Sequence, residues 1–330
     1  MSVTTSGHDR RRLVVAVLAA TVAVASLVAC SSNAGSAGFD DPNSTSRQEV
    51  RLVQQPWEDL VVENQVTSDI LGALGYQVQV KELSVPLGAQ ALAQNQADVY
   101  LGNWWPSQKP TFQKYLDANK VEQVGTILSG TQYAPVIPAY VAKKYGIRSL
   151  ADLDKRADLF DHKFLGIEPG TPGNQFILDA IKKDAYGLGD WTLVQSSTAG
   201  MLAEVTRAAS RDKPVVFLGW SPHWMNVEWG LVYLDDPDHV WPGAGEIRVL
   251  VREGLGKDDA NLTKFFSQMK VESETASGWI NDLGKKKQPT KDVAAAWISA
   301  NMDTVEQWLD GVESLDGKPA AAIVRDKLTS

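Results

Sequence analysis

Trp57 ends the run "VRLVQQPW", Trp104 and Trp105 end "ADVYLGNWW", and Trp220 ends "PVVFLGW". Tyr133 follows in "SGTQYAPVIPAYV". Nothing in a packed core asks for two adjacent indoles at the end of an apolar run. Flat aromatic faces gathered from several such ends suit a methylated ammonium above other ligands. That cation donates no hydrogen bonds, so water holds it loosely, and each ring quadrupole attracts it by ~0.5–2 kcal/mol. Three or four rings then supply roughly 4–6 kcal/mol, where micromolar binding needs about 8. The same rings could stack on a sugar, or simply fill a core. The chain carries 11 Trp against 8 Phe and 8 Tyr, an excess of indoles that favours use of their faces.

The tools of catalysis are sparse. There are 4 His, of which His8 lies near the N-terminus, and His162, His223 and His239 fall at no metal-ligand spacing. No phosphate-binding glycine loop occurs, and "GWSPH" lacks the second glycine of a nucleophile elbow. Asp and Glu are numerous, so spacing alone does not rule out a carboxylate pair. No catalytic residue, metal or cofactor is expected, and replacing all three remaining histidines is expected to leave ligand handling unchanged. The rival reading, a hydrolase of choline esters, would need one of them as a base.

The elements that must position the aromatics alternate between strand and helix. "YQVQVKEL", "KFLGIEPG", "WTLVQSS" and "GLVYLDD" read as further strands. Helical patterns lie between them, from Asp59 to Leu74, in "PLGAQALAQNQ", in "NQFILDAIKKDAYG" and in "AGMLAEVTRAASR". That order predicts an α/β fold with mostly parallel sheets flanked by helices. In such sheets ligands sit beyond the carboxyl ends of strands, where these tryptophans fall. The last hundred or so residues are helix-rich, and Trp279, Trp297 and Trp308 lie on apolar faces and read as core.

The N-terminus reads as an address. Arg10, Arg11 and Arg12 precede the uncharged stretch "LVVAVLAATVAVASLVA", which ends at Cys30, the single cysteine. This is an export signal over residues 1–29, and "LVAC" resembles the lipobox of bacterial lipoproteins, with Cys30 as lipid anchor. An uncleaved membrane-anchor helix is the other reading of the same stretch. Residues 30–47 are Ser/Gly/Asn-rich and read as a flexible tether. Losing the signal removes three Arg and one Asp, so a net charge of −8 becomes −10. Such an acidic body argues against nucleic acid and against an anionic membrane surface as direct partners.

Three motifs together, "ADVYLGNWWP", "GIEPGTPGN" and "VVFLGWSPHW", resemble those of the substrate-binding proteins of glycine betaine/choline importers. The likeness runs from about residue 48 to the helix of Trp308. It implies a two-lobed periplasmic-binding-protein fold (type II, a flytrap), with lobe 1 over 48–137 plus 235–318 and lobe 2 over 138–234. It also implies an aromatic box of Trp57, Trp104, Tyr133 and Trp220, with Trp105 as the neighbour that competes with Trp104 for the ligand face. In choline-binding members an acidic residue two positions after the first Trp meets the ligand, and "PWED" supplies Asp59 there. An Asn after the second lobe's Gly-rich turn takes the polar tip, which falls on Asn174. Asp59 also reads as the N-cap of the helix that follows Trp57, and Asn174 as a helix-start residue. The implied partners are a small quaternary ammonium ligand and the membrane permease of an ABC importer, with the receptor an extracytoplasmic, membrane-anchored monomer. A carboxylate at Asp59 would attract choline and repel betaine's tail. A helix start at Asn174 suits betaine. Choline is the expected ligand, with glycine betaine or another betaine as the alternative.

Overall fold

The structure, a computed structural model, describes residues 48–329. The export signal, Cys30 and the tether lie outside the described residues. The strands are β1 (Glu49–Gln54), β2 (Gln77–Glu82), β3 (Val99–Trp105), β4 (Val121–Ile137) and β5 (Lys163–Leu165). After them come β6 (Thr192–Val194), β7 (Phe217–Ser221), β8 (Val232–Tyr233) and β9 (Gly245–Arg252). They hydrogen-bond in the order β2-β1-β3-β9-β4-β7-β5-β6, with β8 on β4.

The sheet is parallel at its two ends and antiparallel in the middle. β1 pairs with β2 and β3 in parallel, and β5 pairs with β6 and β7 in parallel. Between these blocks β4 and β9 run antiparallel to each other and to β7 and β3 respectively. The expected βαβ order therefore holds in each block. The antiparallel centre comes from long returns of the chain, which a reading of neighbouring segments does not detect. Strand β4 changes partner along its length, leaving β9 after Thr131 and pairing with β7 from Gln132.

The helices are α1 (Glu58–Ala73), α2 (Val85–Ala93), α3 (Lys109–Asp117), α4 (Ala139–Tyr145), α5 (Pro172–Lys182) and α6 (Thr198–Ala209). Later come α7 (Met225–Trp229), α8 (Leu255–Asp258), α9 (Ala260–Gln268), α10 (Ser273–Ile280), α11 (Thr290–Ala300), α12 (Met302–Trp308) and α13 (Ala320–Leu328). A π-helical turn, Asn281–Lys285, continues α10. Helix α1 buries Asp59, Glu63, Val66 and Ile70. Their spacing is that of one helical face, so two carboxyl groups share the apolar stripe. Helices α10, α11 and α13 pack on α1, the last of them beyond the expected lobe end at 318. The C-terminal tryptophans form a ladder in which Trp279 and Trp308 are buried. Trp297 lies between them, 5.0 Å from Trp279 and 5.4 Å from Trp308.

A buried ion network locks the first block. Asp98 accepts from Arg51 Nε at 2.8 Å and from Arg252 Nε at 2.7 Å. It thereby ties β1 to the end of β9, and the two guanidinium groups hold its carboxyl below the usual carboxylate range despite burial.

Candidate functional site

A pocket opens where the carboxyl ends of β1, β3 and β7 meet β4. Trp57, Asp59, Trp104, Tyr133 and Trp220 all line it. Each wall has its own support. Trp57 is the N-cap residue of α1 and stands just outside the helix. Its indole Nε1 donates to Glu168 Oε2 at 3.3 Å, reaching from the first parallel block to the turn after β5. Trp104 is the last buried residue of β3, and strand alternation turns Trp105 the other way. Trp105 carries the Arg248 guanidinium over its ring at 4.1 Å and does not line the pocket. Tyr133 and Trp220 are direct cross-strand partners on β4 and β7. Both tryptophan walls precede a cis peptide bond, Trp105–Pro106 and Ser221–Pro222.

Tyr133 is the hub. Its ring centroid lies 6.1 Å from Trp104 and 6.2 Å from Trp220, at interplanar angles of 62° and 77°. Behind it Trp241 packs at 5.2 Å and 84°, and its indole N–H donates to the Tyr133 carbonyl. Near-perpendicular rings satisfy one another edge to face, which leaves π faces free for an occupant.

The electrostatics are one-sided. Asp59 is 5% exposed, and burial pushes its carboxyl up to about 6, although N–H groups of the first helical turn pull the other way. Glu63, one turn further and 2% exposed, is pushed well up by burial and by the charge on Asp59. Among the residues lining the pocket none is Lys, Arg or His. The N-cap alternative for Asp59 does not hold: Trp57 caps α1, and Asp59 lies inside the first turn. Two hydroxyls at the pocket, Tyr133 Oη and Thr171 Oγ1, are buried without a hydrogen-bond partner.

Asn174 is placed differently from the residues of the box. It is buried and does not line this pocket. Its Nδ2 donates to the carbonyls of Ile167 and Glu168 at 2.9 and 3.1 Å, and its Oδ1 accepts from Ile167 N at 3.0 Å. It braces the turn between β5 and α5, and this turn brings Ile167, Thr171 and Pro172 to the pocket instead. Ser107 and Gln108, just after Pro106, line the pocket as well. Gln108 is held by Tyr100 and by the Gly102 carbonyl. All five lie within or beside the quoted motifs, but small or amide side chains carry no signal as strong as an indole. Trp241 and Glu168 were likewise missed, because their parts depend on long-range packing. His223 corrects one expectation. Its ring packs against Trp220 at 5.1 Å, so replacing it would disturb a pocket wall. Burial lowers its pKa to about 3, which keeps it neutral.

Comparison with known proteins identifies the family. Residues 48–300 match the family described as the substrate binding domain of ABC-type glycine betaine transport system, and the chain belongs to that family. The solved structure of an ABC-transporter choline binding protein in complex with choline superposes with a TM-score of 0.82 at 34% identity. The match covers 85% of this chain and 98% of that one. Lactococcal OpuAC, in its closed-liganded conformation complexed with glycine betaine, gives 0.70 at 28% identity, over 79% and 99% of the two chains. The glycine betaine/carnitine transport binding protein GbuC of Listeria monocytogenes is 33% identical over 172 residues. That stretch spans 51% of this chain and 57% of the Listeria protein's length. The chain is thus a substrate-binding protein of the betaine/choline ABC transporter class, with the α/β fold of periplasmic binding proteins. Proteins of this class bind for transport and are not enzymes.

Proposed function

We propose that this protein captures choline in a cage formed by Trp57, Trp104, Tyr133 and Trp220, and hands it to the permease of an ABC importer. One observation carries the choice of ligand: among the described residues, the only charged side chain lining the pocket is the carboxyl of Asp59. A cation with a neutral hydroxyl tail gains from that carboxylate, and a zwitterion with a carboxylate tail is repelled by it. The rings contribute ~0.5–2 kcal/mol each to either ligand, so they set affinity for the ammonium head and leave discrimination to the tail. The two parallel blocks act as lobes 48–137 plus 235–318 and 138–234, and the ligand favours closure by touching both. The receptor works outside the cytoplasm as a monomer, held to the membrane through Cys30.

Glycine betaine is the second reading. Thr171 Oγ1 is buried and unpartnered, and it caps a helix whose first N–H groups have no partner within it, a setting that suits an anionic tail. Calorimetric titration of the protein with choline and with glycine betaine decides between them. Tight choline binding that collapses in Asp59→Asn supports the first reading. Tight betaine binding indifferent to Asp59→Asn would replace it with the second.

A further inference from the structure

The π-helical turn Asn281–Lys285 touches residues that adjoin two of the pocket walls. On one side Gly284 lies against Glu58, the residue after Trp57. A β-carbon at Gly284 would fall 2.9 Å from Glu58 Oε1 and 3.1 Å from its Cγ, so a larger residue there would have to displace the Glu58 side chain. On the other side Lys285 Nζ donates to Glu228 Oε2 at 2.6 Å. The same ammonium sits 5.4 Å from the ring centroid of Trp224. Trp224 packs on His223 at 5.0 Å, and His223 packs on the Trp220 wall at 5.1 Å.

These contacts join elements of different parentage. The turn continues α10, which packs on α1 in the first parallel block, whereas Glu228 and Trp224 belong to the segment of α7, which packs on β7 in the second. A π turn is an uncommon way to end an α-helix. Here the wider turn delivers Lys285 beyond the end of α10 while Gly284 stays clamped on Glu58.

We propose that Asn281–Lys285 is a clasp that fastens the two blocks together and sets the rate at which the pocket releases its occupant. The proposal rests on the reading of the pocket as a cation cage. Lys285 meets Glu228 and Trp224 only when the blocks are together, so the contact stabilises the closed state and leaves the open state untouched. Its effect therefore falls on dissociation and not on encounter.

Stopped-flow tryptophan fluorescence with choline and with glycine betaine tests this in the intact protein. Lys285→Ala is expected to raise the dissociation rate about fivefold and to leave the association rate within about twofold, the scale of one exposed ion pair plus one cation–π contact. Glu228→Ala, which removes the ion pair and leaves the cation–π contact, should raise it by a smaller factor, the double variant should be no worse than Lys285→Ala, and Lys285→Arg should restore the native rate. Unchanged dissociation in Lys285→Ala, or additive effects in the double variant, would overturn the clasp. A native protein that binds neither compound overturns the cation reading instead. Nitroxide labels at Lys144→Cys and Lys291→Cys, in a Cys30→Ser background, then judge the clasp alone. Lys285→Ala must lower the proportion of the short inter-label distance, and an unchanged distribution overturns the proposal whatever the pocket binds.

Discussion

The Tyr133 hydroxyl sits against the α-carbon of Gly173, so close that a β-carbon there would lie 1.9 Å from its oxygen. Gly173 is the second residue of α5, which makes the helix start a stop for the ring at the hub of the pocket. Any side chain at this position has to push Tyr133 out of line with Trp104 and Trp220. Gly173→Ala is therefore expected to weaken choline binding about tenfold, the equivalent of one lost cation–π contact. Calorimetry reads the affinity, and thermal unfolding should move much less. Native affinity in Gly173→Ala would mean that the ring adjusts freely and does not define the cage.

Acid should weaken binding of a cation. The folded Asp59 takes up its proton at about 6, above the ordinary aspartate value, so affinity for choline should climb as pH rises to that point and level off above it. Below it the loss approaches tenfold per pH unit, since each bound cation must displace a proton. In Asp59→Asn this slope should vanish.

The same carboxyl predicts a stability effect of opposite sense. Between its unfolded and folded values the native state holds more protons than the unfolded one, so rising pH lowers stability through that window. Above it the buried charge of Asp59 costs up to about 3 kcal/mol in the empty protein. Urea unfolding should find Asp59→Asn more stable than the native protein near neutral pH, with the gap closing at about pH 4. Equal stabilities at neutral pH would mean that Asp59 is solvated.

The two adjacent indoles should separate cleanly. Trp104→Ala is expected to cost ten- to thirtyfold in affinity, on the order of 1.5–2 kcal/mol. Trp105→Ala should leave affinity within about twofold and remove the contacts of Arg248 and Lys109 with its ring.

Truncating Asp98 should cost fold and not selectivity. Asp98→Ala strips a carboxylate from Arg51 and Arg252, which are 2% and 5% exposed. A loss of roughly 3–5 kcal/mol in denaturant unfolding is expected.

Much of this is legible in the sequence. The indoles at the ends of β1, β3 and β7 stood out because an apolar run that stops at a large flat ring is unusual. Asp59 stood out by its place beside Trp57. The α/β alternation was equally plain, since β1, β2 and β3 each lie close to the helix that follows. Strands β4 and β9 were not legible as strands. Gly125 and the Ser129–Gly130 pair interrupt the pattern of β4, whose ladder to β9 shifts register repeatedly. Their partners are also more than a hundred residues apart in sequence. Asn174 was singled out for its amide, but that amide is consumed by the backbone of its own turn, while Thr171 three residues earlier faces the pocket.

Tyr133 follows by two residues the point at which β4 leaves one neighbour for another. On the two-lobe reading proposed above, the ring then stands at the fulcrum between the two parallel blocks. A rotation of one block against the other would pivot about the cage itself, with almost no displacement there and a large one at the outer edges. An occupant of this pocket would then work with a very short lever, and a few tenths of an ångström beside Tyr133 would be geared up into a movement that a distant membrane partner can feel.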